Sequence, residues 1–417
     1  MRFGVIYLLQ LPRPWAEDSE ERVYREALEQ IELADRLGFD YAWAAEHHFL
    51  DEYSHCSAPE VFLAAAAART QNIRLAHGIV SLPPGVNHPA RVAERIAALD
   101  IISGGRVDFG TGQGSTQHEL GGFGVDRSVK REQWKEALEV ILRMFTEVPF
   151  TGFKGQYVDI PPRNVLPKPK QKPHPPVWLA CSMPHTVETA ARNGLGALSF
   201  AFTTPEEGRE RVNAYYELIE SGQCVPIGKA INPNFAVAMP FLCHADEQVA
   251  YDRALPGVEF YVNSFMHFYI QGTHHPGYTD LAASFLAKDA LPQDNLARME
   301  DVARQAIGTP DKLRALIREQ EDAGVDQMIF QVQLGANKHE HICESLELFA
   351  SEVMPEFAER REAGESAKAE RLSVPLKEAL SRVKTNDLDV SGYEILTDWE
   401  QWPESFFPPQ PEPEPAG

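Results

Sequence analysis

The sequence predicts an α/β fold, a (β/α)8 TIM barrel with insertions and a C-terminal extension. Short apolar segments alternate with stretches of helical periodicity, and eight of those segments read as strands. The 417 residues hold one barrel of about 250 residues with additions. Chemically unusual residues recur where strands would end: Glu46-His47-His48-Phe49 after Tyr41 to Ala45, then His77-Gly78, Thr111-Gly112-Gln113-Gly114 and Cys181-Ser182. In a barrel of this kind the C-terminal strand ends are where chemistry is assembled.

The first predicted strand is Arg2 to Leu8. Val23, Ala27, Ile31, Ala34 and Leu37 then repeat at helical spacing, and Gly38 supplies the stop. The alternation continues through a strand at Tyr41 to Ala45, a helix at Pro59 to Thr70, a strand at Ile73 to Val80, a helix at Ala90 to Ile102 and a strand at Val107 to Gly110. Trp134, Leu138, Ile141 and Phe145 stripe a longer helix. Gly, Pro and Lys-rich text from about 148 to 176 reads as an inserted hairpin and loop.

Regular alternation resumes with a strand at Val177 to Ala180, a helix at Thr186 to Asn193 stopped by Gly194, a strand at Ala197 to Phe200 and a helix from Pro205 to Glu220 with Pro at its first position. Phe235 to Leu242 is the seventh strand. An irregular insertion rich in Phe, Tyr, His and Pro follows at about 245 to 305, the usual character of a covering or binding loop. A helix at Asp311 to Ala323, the eighth strand at Val325 to Gln331 and a helix striped by Ile342, Leu346, Phe349 and Val353 close a barrel of residues 1–358. Residues 359–417 form the extension, charged and then proline-rich, its end expected to be disordered or extended because few apolar residues remain to bury. Leu388 to Trp402, with its aromatic residues, is the part that would pack.

A formal charge of −22 argues against nucleic acid and anionic lipid as partners, so any bound phosphate must be held locally. The five cysteines form no C-x-x-C pair, which points away from disulfides and structural zinc and toward a reducing cytoplasm. No signal-peptide pattern opens the chain. The apolar run Val61 to Ala68 is far shorter than the roughly 18 residues that a membrane span needs.

His47 or His48 would face the barrel mouth while its neighbour packs behind, because adjacent strand residues point to opposite faces. A mouth histidine can exchange a proton near neutral pH; a structural, hydrogen-bonded histidine is the plain alternative. Metal catalysis is disfavoured, since the first strand ends in Leu9-Gln10-Leu11-Pro12 rather than His-x-His. Gly110 to Ser115 lets backbone N–H groups approach an anion but is not a dinucleotide fingerprint. Arg131, just upstream of the Trp134 helix, could grip a phosphate or simply be solvated. Ser182 could meet the same anion or act as a helix cap. Gly78 marks a place where a flat ring could rest.

These residues resemble the bacterial luciferase-like flavin-dependent monooxygenases. The resemblance rests on Phe39-Asp40-x-x-Trp43-x-x-Glu46-His47-His48-Phe49, Gly78-x-Val80-x-x-Pro83, His88-Pro89, Glu94, Leu99-Asp100-x-x-Ser103-x-Gly105-Arg106, Phe109-Gly110-Thr111-x-x-Gly114 and Phe123-Gly124-Val125-Asp126. It is specific over about 1–205 and thins to a barrel pattern up to about 358. It implies a barrel binding reduced FMN, with His47 as the catalytic histidine that supports the flavin peroxide. It places Arg131 and Ser182 at the FMN phosphate, and Thr111, Gln113, Gly114 and Cys181 around the cofactor. His77-Gly78 falls at the family's non-prolyl cis peptide under the isoalloxazine. Luciferase itself has a second phosphate-binding arginine where this chain has Gln113. The resemblance further implies a separate flavin reductase using NAD(P)H, O2, a small organic substrate and a homodimer; the aromatic residues of the insertion, Phe260, Tyr261, Phe265, Phe268, Tyr269 and Tyr278, suggest an apolar substrate, and packing of the insertion explains them equally well. A deazaflavin-dependent hydride-transfer enzyme and a non-catalytic flavin-binding subunit are the alternatives.

Overall fold

The structure is a computed structural model and describes residues 1–200, 205–270, 272–286, 301, 304–384 and 388–395. Eight parallel strands close on themselves: β1 (Arg2–Tyr7), β2 (Tyr41–Ala44), β3 (Arg74–His77), β4 (Val107–Gly112), β5 (Val177–Cys181), β6 (Gly196–Phe200), β7 (Phe235–Pro240) and β8 (Gln327–Gln331). Each pairs with its neighbours in the chain. Pairing of β1 with β8 (Arg2 with Gln327, Ile6 with Gln331) and of β3 with β4 (Leu75 with Val107) completes the ring.

Strand alternation divides the core into two layers. Ile6, Trp43, Ala76, Trp178, Leu198, Ala236, Ala238 and Ile329 fill the interior, where the Trp43 and Trp178 rings meet edge-on at 5.5 Å. Their neighbours, Val5, Leu75, Phe109 and Phe330 among them, face the surrounding helices. Among these, α1 (Ser19–Leu37) buries Val23, Ala27, Ile31 and Ala34, and ends at Gly38, whose φ of 87° is the left-handed conformation that glycine adopts without a steric cost. The rest of this layer includes α2 (Pro59–Arg69), α3 (Pro89–Ile102), α5 (Lys130–Thr146), α6 (Pro184–Arg192), α7 (Pro205–Glu220), α10 (Pro310–Asp322) and α11 (His339–Glu352); between α3 and α5 lies the short α4 (Gln117–Gly122).

The structure departs from the sequence reading at several places. The third strand does not run unbroken from Ile73 to Val80: it stops at His77, and Val80–Ser81 pairs separately with Thr111 and Gly112 of β4. Conversely, β4 continues to Gly112, so Thr111 and Gly112 are strand rather than loop. The seventh strand ends at Pro240, and Leu242–Cys243 joins Ile307–Gly308 in a small parallel pair outside the barrel. Among its described residues the stretch after residue 245 is largely helical, not irregular: α8 (Glu247–Phe265) runs into a π-helical turn (Met266–Ile270) and is followed by α9 (Leu281–Leu286). Its apolar residues pack in a second core with Leu50, Tyr53 and Leu334 at the barrel mouth.

Beyond residue 358 the chain first continues in α12 (Met354–Leu380), which buries Met354, Phe357, Leu372 and Ala379. Arg361 bonds to both carboxylate oxygens of Asp40 (2.7 and 3.1 Å) and Lys368 pairs with Asp326 at 2.6 Å, tying this helix to the segments leading into β2 and β8. By contacts, Met1–Thr385 is one compact unit and Asn386–Gly417 another. In the latter, a turn closes from the Tyr393 amide to the Val390 carbonyl at 3.0 Å. The proline-rich end lies outside the described residues.

Backbone contact across β3 and β4 depends on a missing side chain. A Cβ on Gly110 would stand 1.9 Å from the His77 carbonyl oxygen, and backbone cannot yield as a side-chain tip can. Gly110→Ala is therefore expected to cost about 3 kcal/mol or more of stability. Gly222→Ala, whose Cβ would meet nothing within 4 Å, should stay within about 0.5 kcal/mol. Thermal unfolding followed by circular dichroism measures both.

Candidate active site

Four consecutive strands, β2 to β5, deliver their C-terminal ends side by side, and the loops that leave them carry the residues singled out in the sequence. On β2 the chain leaves the strand at Ala45 and presents Glu46, His47 and His48. His48 Nε2 bonds Glu46 Oε1 at 2.9 Å, and the same carboxylate accepts from Asn87 Nδ2 (2.6 Å) and the Ser81 amide (3.2 Å). Glu46 thus staples the β2 loop to the chain beyond β3.

His47 turns toward α4, where Glu119 meets it. Its Nδ1 lies 3.0 Å from Glu119 Oε1, and the same oxygen accepts from the His48 amide at 3.1 Å. Glu119 Oε2 accepts from Thr116 Oγ1 at 2.8 Å. Burial raises the pKa of this carboxyl, but the His47 ring and these donors outweigh it and hold Glu119 below the ordinary carboxylate range. An ionised carboxylate only accepts, so Nδ1 of His47 carries the hydrogen and Nε2 is left for proton exchange. Tyr53 and Tyr269 set their rings edge-on to the imidazole at 5.4 and 6.5 Å. Burial pushes both phenols well above their usual range, so they stay neutral.

On β3, Ala76 lies inside the barrel and His77 therefore outside. The His77 ring is buried among the helices, near Glu60 of α2 and Arg95 of α3, and burial lowers its pKa to about 4. Its side chain does not face the mouth. Gly78 does face inward: a Cβ there would lie 3.1 Å from Ile6 Cδ1 and 3.4 Å from Trp43 Cε3, and the Gly78–Ile79 peptide is cis.

On β4, Thr111 is committed to structure, since its hydroxyl donates to the Trp178 carbonyl (2.9 Å) and accepts from Trp134 Nε1 (3.2 Å). Gln113 is half-buried, with its Nε2 lacking a partner among the described residues. Gly114 takes a φ of 71°, and its carbonyl accepts from Lys130 Nζ at 2.6 Å. Arg131 sits in the first turn of α5 rather than ahead of it, exposed, beside Lys130. Burial, followed by the fields of Arg127 and Arg131, holds Lys130 below the usual ammonium range. These three cations make a local positive rim on a chain of charge −22.

On β5, Cys181 is buried with its thiol donating to the Leu179 carbonyl at 3.2 Å, and burial raises its pKa to about 12, so it is no nucleophile. Ser182 is exposed at the rim, and Met183, not Ser182, caps α6. The structure thus brings His47, Gly78, Gln113, Gly114, Arg131 and Ser182 to neighbouring strand ends, while the side chains of His77, Thr111 and Cys181 turn away from the mouth.

The sequence profile of the luciferase-like monooxygenases matches residues 1–327. The chain belongs to the luciferase-like monooxygenase family. Within this family it is 26% identical over 369 residues to the oxygenase component of a flavin-dependent trigonelline monooxygenase from Acinetobacter baylyi, covering 87% of this chain and 97% of that one. It is 33% identical over 226 residues to a limonene 1,2-monooxygenase from Rhodococcus erythropolis, about half of each chain (52% and 55%). Among solved structures, the monooxygenase RslO1 from Streptomyces bottropensis superposes with a TM-score of 0.69 at 28% identity, covering 86% of this chain and all of that one.

Glu119, Tyr53, Arg127 and Lys130 were not singled out from the sequence. Thr116-x-x-Glu119 has the spacing of a helix capping box, which signals a helix start but not a histidine partner. Because Glu119 has a depressed pKa, it stabilises the fold fully above the ordinary carboxylate range, and that contribution is lost as pH falls through its folded value. The melting temperature of Glu119→Gln should accordingly lie below wild type at pH 7, with the gap closing as the pH falls below the ordinary glutamate value of about 4.3, measured by scanning fluorimetry.

Proposed function

We propose that this luciferase-like protein is the oxygenase of a two-component system. It takes reduced FMN from a separate NAD(P)H-using flavin reductase and, with O2, oxygenates a small apolar organic molecule. The observation that carries this reading is the juxtaposition, on contiguous strand ends, of a carboxylate-oriented histidine and a cationic rim.

The residues present fit FMN. Gly78 lays bare backbone against Ile6 and Trp43, where a Cβ would come within 3.1 Å of Ile6, so a planar ring system would rest there with no side chain in its way. Arg131, Arg127 and Lys130 would hold the phosphate with the Ser182 hydroxyl, and the Gln113 amide, without a partner among the described residues, would be a further donor. Reduced FMN, when bound, supplies the electrons that activate O2. The chain supplies the setting. Glu119 fixes the His47 tautomer, so that Nε2 holds or releases a proton where oxygen chemistry needs one. Tyr53, Tyr261, Phe265, Phe268 and Tyr269 wall the mouth, with Tyr53 stacked on Tyr261 at 6.1 Å and Phe265 on Tyr269 at 4.5 Å. This wall excludes water and favours an apolar substrate. Tyr278, 91% exposed, takes no part in it.

With FMN, a flavin reductase, NADH and 18O2, one labelled atom should appear in the product of at least one member of a panel of terpenes, ketones and long-chain aldehydes. His47→Ala should lower turnover about 100-fold or more while FMN affinity stays within about threefold. Arg131→Ala should weaken FMN binding about tenfold. Tight binding of a deazaflavin in place of FMN, or an unchanged rate in His47→Ala, would overturn the reading.

A further inference from the structure

Three histidines from separate segments meet beside the mouth, and none is used in the chemistry above. His267 lies in the π-helical turn, His274 in the loop after it and His118 in α4, next to Glu119. His267 Nε2 is 3.3 Å from His274 Nδ1, and the His118 and His274 rings are 5.3 Å apart. All three surround one side chain: Phe268 meets His118 edge-on at 5.2 Å, His274 at 5.1 Å and His267 at 4.9 Å. Phe268 in turn meets Tyr53 at 6.1 Å. The fold-back is tight, since a Cβ on Gly272 would stand 2.6 Å from His267 Nδ1.

We propose that this histidine cluster is a proton-operated latch that holds the turn bearing Phe268 and Tyr269 closed over His47, and releases it in mild acid. Among the described residues, the groups whose charge acts on His267 and His274 are Asp51 from the segment after β2, His118 from α4, and His275 beside His274. Asp51 Oδ2 lies 3.3 Å from His274 Nε2, close enough to attract a proton to that ring. It is a single carboxylate against three imidazoles, and it cannot neutralise a second positive charge. His118 Nδ1 is buried with no partner among the described residues.

The sign follows from linkage. Burial, then the neighbouring His274 and His118, lowers His267 to about 4, and burial leads the lowering of His274. In an opened turn these rings return toward the ordinary value of about 6.5. Closure is therefore complete above that value and is lost as pH falls from about 6.5 toward 4. Opening would carry Tyr269 away from His47 and give flavin and substrate their path. This inference needs the site to lie at the mouth but not any particular flavin, and its test does not use turnover.

The test is hydrogen exchange of the full chain, following the backbone amides of residues 266–270 at pH 7.5 and pH 5 after correction for intrinsic exchange. Protection of this turn is expected to fall at least tenfold in acid, while amides of β8 keep theirs. In the double variant His267→Gln/His274→Gln the acid-dependent loss should shrink to less than threefold. Wild-type protection that does not change with pH, or a double variant that keeps the full dependence, would overturn the proposal.

Discussion

One carboxylate sets the geometry of the mouth. Glu119 sits on a short helix after β4, yet one of its oxygens is shared by His47 Nδ1 and the His48 amide, both on the loop after β2. That bridge ties the two loops together and, with the rings of Tyr53 and Tyr269, orients the histidine. Thr116 caps the helix and donates to the second oxygen, which holds the carboxylate in place for the bridge. Local helix chemistry, loop placement and the availability of a ring nitrogen are thus linked through one buried anion.

A second constraint is the closeness of β3 and β4. Glycines at 110 and 112 let the chain beyond β3 press against β4, which turns Gly78 inward and sends the His77 ring to the helix layer. The two adjacent residues therefore serve different layers. His77 is buried structure; the Gly78 backbone forms part of the mouth. Cations on the next turn, at Arg127, Lys130 and Arg131, complete the rim.

Much of the barrel was legible in the sequence because its strands are buried on both faces and read as unbroken apolar segments between helical stripes. Tyr41 to Ala45 and Val177 to Ala180 are examples, each within a residue of the observed strand. The loop residues His47, Gly114 and Ser182 were legible as strand-end residues for the same reason. Side-chain direction was harder. Thr111 reads as a loop hydroxyl until β4 is seen to continue through it, and its commitment to Trp134 depends on a helix more than twenty residues away. Glu119 was missed because its partner lies 72 residues distant and nothing local distinguishes it from an ordinary capping residue. Likewise α12 read only as the charged start of the extension: its buried positions are sparse, and its attachment uses ion pairs to Asp40 and Asp326 that spacing does not reveal.

The central claim is that the ends of β2 to β5 form a single flavin site. A crystal structure of the protein soaked with FMN tests it most directly. The account predicts density for the ring above Ile6 and Trp43, within reach of His47, with the phosphate against Arg131 and Ser182. Flavin density elsewhere, or a phosphate bound away from Arg131 with the ring remote from His47, would contradict it.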